Sequence, residues 1–377
     1  MAVTTKLQAI LEKPDRDLTL EELLYGFRTL RNHHATGTEG YRREDDIEHL
    51  KGALQGAVTL EFATLPPYLS ALWSVKDDVS FVAQSLREIV QEEMLHMALA
   101  CNLLVALDGS PEINTVVPSY PGKLPLDVHP KLTVQLSALN KDALTAFLEI
   151  ERPDHPGHRL AMNAAQDLEA DRVPEGSADL TIGELYDQIL ESFKRNAPVL
   201  LTNRQITGPL AWTVMQNQDD VTKAIETISH QGEGSGGPVN AYLTGLAHYY
   251  RFAEIIELKQ LVYDKGTKQF AFLTPIPFDM VKDVWPMGPV PEGGFTDNRV
   301  ADPEVRRLLR GFNITYSRLL DLLQAAWQSE GGQAQLWHGL DTMFELEKYA
   351  RPLMQIPRPD GNGNYGPDFR YIQPNAR

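Results

Sequence analysis

Acidic and histidine side chains replace apolar residues on two helical stripes in the first third of the chain. Glu93 and His96 lie three residues apart in "IVQEEMLHMALACNLL", and Glu61 lies in the apolar stripe of the segment before it. Residues three apart share one face of a helix, and a carboxylate in an apolar interior is costly unless it is paired or bound to a metal. Carboxylate and imidazole ligands suit iron or manganese, with zinc as an alternative. The pattern therefore predicts a buried metal site.

These three residues would form half of a di-metal site. In helical bundles that hold two metal ions, each of two helices contributes a Glu, and each of the other two contributes a Glu-x-x-His. The alternative interpretation is structural: a hydrogen-bonded Glu–His pair stabilises a polar core, and Glu61 caps a kink ahead of Pro66 and Pro67. Spacing alone does not separate the two.

The second half of the chain offers several partners and no clean Glu-x-x-His. The candidates are Glu184 in "IGELYDQI", then Glu226, His230 and Glu233 at i, i+4 and i+7 in "AIETISHQGEG", and His248 with Glu254 in "AHYYRFAEI". Spacing does not choose among them.

Helices are the elements that must position these residues. Apolar residues at steps of three and four predict a helix from Glu44 to about Val75, kinked or broken at Pro66 and Pro67, and a second from about Ser80 to Leu107. Further helices are predicted over Lys141–Leu148, "LTIGELYDQILESFKRNA", "DDVTKAIETISH", "AYLTGLAHYYRFAEIIELKQLV", about Pro303–Ser329 and Ala334–Leu353.

The helical pattern predicts an all-α fold built on a four-helix bundle. We expect an N-terminal extension over 1–43 and a bundle over 44–265 that contains a long irregular crossover, 108–178. A C-terminal region, 266–377, would supply a linker, a helical pair and an irregular tail packed on the bundle. The crossover is rich in proline, and a segment of that length is usually functional or disordered.

The charge and cysteine content of the chain limit the partners and the cellular compartment that we expect. The chain has 377 residues and a formal net charge of −16, which argues against nucleic acid and anionic membranes as partners. Its single cysteine, Cys101, allows no disulfide within the chain and indicates a reducing compartment. We see no signal peptide and no apolar run of the ~20 residues that a membrane helix needs. The expected location is the cytoplasm.

A set of short motifs in a fixed order resembles a known family. The motifs are "LEFATLPPYLSALWSV", "EEMLHMALACNLLVALDGSP", "YPGKLPLDV", "FLEIERP", "TIGELYDQI", "QGEG" and "AHYYRFAEI". Together they resemble the ferritin-like family that includes the iminophenyl-pyruvate dimer synthase domains of violacein, rebeccamycin and staurosporine biosynthesis. The resemblance implies a ferritin-like bundle with a decorated crossover and additional C-terminal helices, and a role in secondary metabolism.

Carried onto this sequence, the resemblance implies a metal site that holds about two iron ions per chain. Manganese or zinc are alternatives. The implied ligands are Glu61, Glu93, His96, Glu184, Glu233 and His248, and Glu226 with His230 is the competing pair.

Several neighbouring side chains would line the substrate pocket or support the ligands. Arg251 could clamp a substrate carboxylate or pair with Glu254 at i+3. The full set is Glu92, Tyr68, Tyr186, Tyr249 and Arg251, and ordinary core packing is the alternative for the tyrosines.

The expected function is a non-haem, oxygen-dependent di-iron oxidase or oxygenase that acts on a small amino-acid-derived substrate. Its partners would be that substrate and molecular oxygen, and assembly into a homo-oligomer is considered. The alternatives are an imine-coupling, dimer-synthase-like enzyme and a non-catalytic metal-binding ferritin-like protein.

Overall fold

The computed structural model describes residues 43–153, 180–208, 214–233, 245–266, 269–296 and 300–376. Nearly all of the predicted N-terminal extension, 1–43, and the later part of the predicted crossover, from 154 onward, lie outside these residues. So does the rest of the glycine-rich segment that follows Glu233.

Two long helices form the centre of the fold. Helix α1 spans Arg43–Ser74 and helix α2 spans Phe81–Ala106. The short connection between them makes the helices antiparallel neighbours, and the Ser80 side chain caps α2 by accepting the Ala83 backbone N–H. These two helices carry Glu61, Glu93 and His96, so their mutual packing decides how close those side chains come.

Helix α1 continues through Pro66 and Pro67 to Ser74, so the prolines do not break it. Proline has no N–H to donate to the carbonyl four residues earlier. For Pro67 that carbonyl belongs to Ala63, and the Tyr120 hydroxyl donates to it at 2.7 Å. A side chain from the crossover thus replaces the missing helical hydrogen bond.

Four shorter helices pack around this pair. They are α3 (Lys141–Ile150), α4 (Ile182–Asn196), α5 (Gln218–Gln231) and α6 (His248–Glu257). Helix α4 contacts α1 and α5, whereas α5 and α6 contact α2, and α3 contacts α6. Side chains of Asn140, Thr181 and Asn217 cap the first three of these helices. The arrangement confirms the predicted all-α bundle.

A small β-hairpin follows α6 where the sequence pattern predicts more helix. Leu258 adopts a left-handed conformation (φ 51°) that ends α6. Strands β1 (Lys259–Asp264) and β2 (Gln269–Pro275) then pair in antiparallel orientation. The predicted extension of the helix to Val262 is therefore wrong. "KQLVYD" contains a β-branched and an aromatic residue in succession, which favours a strand.

The C-terminal region packs helices α7 (Pro303–Gln328), α8 (Gln333–Phe344) and α9 (Glu347–Leu353) against the bundle. The last two correspond to one predicted helix, which the structure divides after Phe344. Asn102 of α2 links the layers: its Oδ1 accepts the Ile206 N–H at 3.0 Å and the Trp327 indole N–H at 2.9 Å. In the tail, Phe369 stacks on Trp73 with ring centroids 6.1 Å apart.

Helix α2 is long and apolar enough to cross a membrane if length and composition alone are considered. However, 83% of its most apolar window is buried inside the fold. The helix is therefore the core of the bundle, and its apolar surface is covered by neighbouring helices.

Candidate metal centre

Three buried side chains bring their donor atoms together between α2 and the start of α6. Glu93, His96 and His248 each offer one ligand atom, and these atoms all lie within 4.8 Å of one another. Glu93 Oε1 lies 2.8 Å from His248 Nδ1 and 3.6 Å from His96 Nδ1. All three side chains are at most 2% exposed. One carboxylate oxygen thus lies between two imidazoles in the interior.

Two further carboxylates flank this group on opposite sides. Glu61 Oε2, from α1, lies 3.8 Å from His96 Nδ1. Glu151 Oε2, from the residue that ends α3, lies 3.7 Å from His248 Nδ1. We call Glu61, Glu93, His96, Glu151 and His248 the donor cluster. It combines three carboxylates and two imidazoles from four segments of the chain.

Each carboxylate of the donor cluster has one oxygen fixed by a hydroxyl group and the other oxygen close to a histidine. A buried hydroxyl that donates to a carboxylate restricts its rotation and directs the second oxygen inward. The pairs are Tyr186 with Glu61 Oε1, Thr64 with Glu93 Oε2 and Tyr68 with Glu151 Oε1, each at 2.6 Å.

The two imidazoles are held in the same way, by their outer nitrogens. His96 Nε2 lies 2.9 Å from Gln231 Oε1, and His248 Nε2 lies 2.9 Å from Glu92 Oε2. A carboxylate only accepts, so His248 Nε2 must carry the proton. Nδ1 is therefore the nitrogen of His248 that faces the other carboxylates, and it is the one that could bind a metal ion after losing its proton.

Burial and crowding change the protonation of these groups. Burial, followed by repulsion from Glu93, raises the pKa of Glu61 to about 8. Burial alone would also raise the pKa of Glu93, but its contacts with His248 and His96 outweigh this and hold that pKa well below its usual range. Burial likewise disfavours charged His248, yet the surrounding carboxylates raise its pKa well above the ordinary value. Protons therefore neutralise the donor cluster when no cation does.

The donor set fits a metal ion. Three buried carboxylates face two imidazoles, an excess of negative charge that a divalent cation would neutralise. His248 Nδ1 is buried and makes no hydrogen bond of acceptable geometry with any described residue, although Glu93 Oε1 is 2.8 Å away. Mixed carboxylate and imidazole donors are those that iron, manganese and zinc accept in proteins.

Four of the predicted ligands, Glu61, Glu93, His96 and His248, belong to the donor cluster. Glu184 lies apart from the donor cluster. Its side chain is exposed and forms a capping box at the start of α4, where its carboxylate accepts the Thr181 backbone N–H at 3.2 Å. Glu184 lies in the first turn of α4, where its carboxylate caps the helix instead of pointing toward the other ligands.

The remaining candidates on α5 and just after it lie outside the converging donors. Glu233 is buried, but its carboxylate accepts the backbone N–H of Gly183, a free donor at the start of α4. Glu226 and His230 are half-buried on α5, and neither belongs to the group of converging donors found among the described residues. Of the implied ligands Glu233 and His248, which lie on either side of the glycine-rich segment, only His248 belongs to the donor cluster.

The predicted supporting residues divide into two groups. Tyr68, Tyr186 and Glu92 contact the donor cluster directly. Arg251 Nη2 lies 3.1 Å from Glu92 Oε1, and its Nε donates to the Leu246 carbonyl at 2.6 Å. Its charge also acts on Glu254, the alternative partner, and opposes the rise of that pKa. Tyr249 packs edge-on against the Tyr250 ring.

Sequence reasoning missed Glu151, Thr64 and Gln231. The signal for Glu151 is visible in hindsight, because the buried stripe Leu144, Phe147 and Leu148 of α3 continues to position 151 at the same spacing. The glycine after Gln231 supports the assignment: a Cβ added to Gly232 would lie 3.1 Å from Glu151 Oε2. No comparable sequence signal marks Thr64 or Gln231.

Comparisons with known proteins agree with this architecture. The sequence from 54 to 257, more than half of the chain, matches the family described as Ferritin-like. Among solved structures, a ferritin-like protein from Caulobacter vibrioides superposes with a TM-score of 0.56 at 20% identity, over 86% of this chain and 97% of that one, and this likeness supports the fold alone. No curated protein matches the sequence significantly. The chain belongs to the ferritin-like family.

Proposed function

We propose that this protein is a non-haem di-iron oxidoreductase that uses molecular oxygen to oxidise a small amino-acid-derived substrate. The observation that carries the proposal is the convergence of Glu93, His96 and His248, with donor atoms within 4.8 Å of one another in the interior of a ferritin-like bundle. The substrate class and the place in secondary metabolism rest on the resemblance of the ordered motifs to the dimer synthase domains.

The symmetry of the donor cluster supports two metal ions. On one side, His96 Nδ1 is near Glu93 and Glu61, at 3.6 and 3.8 Å. On the other, His248 Nδ1 is near Glu93 and Glu151, at 2.8 and 3.7 Å. Each side thus offers one imidazole and one carboxylate of its own, and Glu93 lies near both. These five residues would hold the two ions.

Bound iron would supply the redox chemistry that transfers electrons from the substrate to oxygen. The protein's own contribution is to exclude water and hold the ligands still. Tyr186 and Tyr68 fix the outer carboxylates, and the apolar residues of α1 and α2 surround them. Glu61, with its pKa raised to about 8, can keep a proton at neutral pH and release it when a cation arrives.

Metal analysis of protein purified from iron-supplemented cells tests the proposal. We expect about two iron ions per chain, lost in Glu93→Ala and His248→Ala and retained in Glu184→Gln, a matched control whose glutamine can still cap α4. Protein with no bound metal in the unaltered chain would rule out the site.

Measurement of oxygen consumption distinguishes the proposed oxidase from the alternative functions. Uptake in the presence of an aromatic amino acid or keto acid, absent in Glu93→Ala, would support the oxidase. Iron binding without uptake of oxygen with any such compound would favour a non-catalytic metal-binding protein. A haem absorption band would favour the dimer-synthase alternative.

A further inference from the structure

The two imidazoles of the donor cluster have similar surroundings on their inner sides. His96 and His248 stack with ring centroids 5.3 Å apart and ring planes 29° apart. Nδ1 of each lies within 3.8 Å of Glu93 and of one further carboxylate. That carboxylate is Glu61 for His96 and Glu151 for His248. The types of donor group inside the cluster therefore give neither imidazole an advantage in holding a metal ion.

The outer partners of the two imidazoles differ in charge. His248 Nε2 lies 2.9 Å from a carboxylate oxygen of Glu92, whereas His96 Nε2 lies 2.9 Å from the amide oxygen of Gln231, the last residue of α5. A carboxylate accepts a hydrogen bond more strongly than a neutral amide does. An acceptor at one nitrogen of an imidazole raises the basicity of the other nitrogen. Nδ1 of His248 is therefore the stronger donor to a metal ion.

The outer partners also differ in how firmly they are held. One oxygen of Glu92 is near His248 and the other is near Arg251 Nη2, at 3.1 Å. Gln231 is 1% exposed, and its amide nitrogen has no hydrogen-bond partner among the described residues. Within that part of the chain, no contact at this nitrogen keeps the amide in one orientation.

The orientation of this amide matters because a histidine that binds a metal ion through Nδ1 must keep its proton on Nε2. Glu92 can only accept a hydrogen bond, so it is compatible with that arrangement alone. Gln231 can accept from Nε2 of His96, or it can turn over and donate to it. A metal ion that binds His96 must therefore also select one orientation of the amide, which costs free energy that the His248 side does not lose.

We propose that Glu92 and Gln231 make the two sides of the metal centre unequal, so that the first metal ion binds on the His248 side and the second, more weakly, on the His96 side. The expected difference in affinity is about 10- to 100-fold, the usual effect of the partner behind a metal-binding histidine. Protein with one ion per chain would then exist over a range of metal concentrations. The inference rests on the metal site of the proposed function and is independent of the substrate.

Anaerobic calorimetric titration of the metal-free full chain with Fe(II) tests the proposal. We expect the unaltered protein to bind iron in two steps whose affinities differ about 10- to 100-fold. Gln231→Leu keeps a buried side chain of similar size but removes the acceptor, so it should weaken the second step and leave the first unchanged. Glu92→Gln gives both imidazoles an amide partner, so it should weaken the first step and bring the two steps together.

Two further variants assign the steps to the two sides, after circular dichroism has shown that they fold. Glu61→Gln removes the carboxylate of the His96 side, and Glu151→Gln removes that of the His248 side. The ion retained in Glu61→Gln should bind about 10- to 100-fold more tightly than the ion retained in Glu151→Gln.

The possible outcomes separate this inference from the proposed function. Two equal steps in the unaltered protein would overturn the inference and leave the oxidoreductase standing, and this measurement requires no variant to fold. Equal weakening of both steps in Gln231→Leu would also overturn it, because a general structural role of Gln231 would explain that result. Unequal steps in a protein that consumes no oxygen would support the inference although the proposed oxidation fails.

Discussion

Glu92 and His248 meet across the contact between α2 and α6, with Glu92 Oε2 2.9 Å from His248 Nε2. Glu92 is itself held by Arg251, whose Nη2 lies 3.1 Å from Glu92 Oε1. The consequence is a chain of three side chains that fixes one imidazole nitrogen as a donor and leaves the other for the donor cluster. Glu92 thus positions His248 and itself lies outside the donor cluster.

Replacement of Glu92 by Gln should weaken metal binding by about 10- to 100-fold, because the neutral amide no longer fixes the tautomer of His248 or strengthens its donor nitrogen. Titration with Fe(II) under anaerobic conditions measures the affinity. Glu88→Gln is the matched control, since Glu88 also lies near Arg251, at 3.5 Å, and has no contact with the imidazole. An equal loss in both variants would point to Arg251 and contradict the tautomer argument.

Glu151, which the sequence did not single out, should prove as important as the predicted ligands. Glu151→Gln removes the carboxylate that, with Glu93, faces His248 Nδ1. We therefore expect metal content to fall from about two ions per chain to about one. Glu149→Gln is the control two residues earlier, because Glu149 pairs with His129 at 3.3 Å and lies outside the donor cluster. Unchanged metal content in Glu151→Gln would remove this residue from the site.

Two buried tyrosine hydroxyls should contribute differently to the free energy of unfolding. Tyr120→Phe leaves the Ala63 carbonyl without the donor that replaces the missing proline N–H, and should lower the free energy of unfolding by about 1–3 kcal/mol. Tyr316→Phe removes a hydroxyl with no partner among the described residues and should be neutral or stabilising. Urea unfolding of both variants checks the order, and a larger loss for Tyr316→Phe would contradict it.

The stability of the protein should depend on the ionisation of Glu254. Burial raises the pKa of Glu254 from 4.5 to about 7, although the carboxylate accepts the Leu261 N–H. Between these two values the folded state keeps a proton that the unfolded chain has lost, so stability falls as pH rises through this window and then levels off.

Glu254→Gln keeps an acceptor for Leu261 and removes the titration. Its stability relative to the unaltered protein should therefore increase between pH ~5 and ~7, by about 1–2 kcal/mol after allowance for the solvent that still screens the carboxylate. Urea unfolding of metal-free protein at a series of pH values measures the difference, in which all other titrating groups cancel. A difference that does not change with pH would contradict the shifted pKa.

The sequence predicts which way the first three candidate side chains point, because helical periodicity depends only on neighbouring residues. Glu61, Glu93 and His96 stand on long, regular helices where an apolar stripe defines the inner face. Helical periodicity therefore reports their direction without knowledge of the rest of the fold. The bundle itself follows from the same signal, and the structure confirms it.

The second half of the site depends on features that periodicity does not report. Glu184 has the right residue type on an amphipathic helix, but its place in the first turn makes it a cap. Glu151 and His248 lie at helix ends, where the direction of a side chain is set by the incoming chain rather than by the stripe. The end of α6 at Leu258 is also a matter of backbone conformation, since left-handed leucine has no sequence signature.

The dispersal of the donor cluster along the chain has a consequence for folding. The α1–α2 pair can form from neighbouring segments, but Glu151 and His248 reach it only after long loops have closed, and loop closure costs entropy before any contact repays it. Non-local contacts of this kind form slowly. In a refolding chain, tight metal binding would therefore appear late and would report that the whole bundle has assembled.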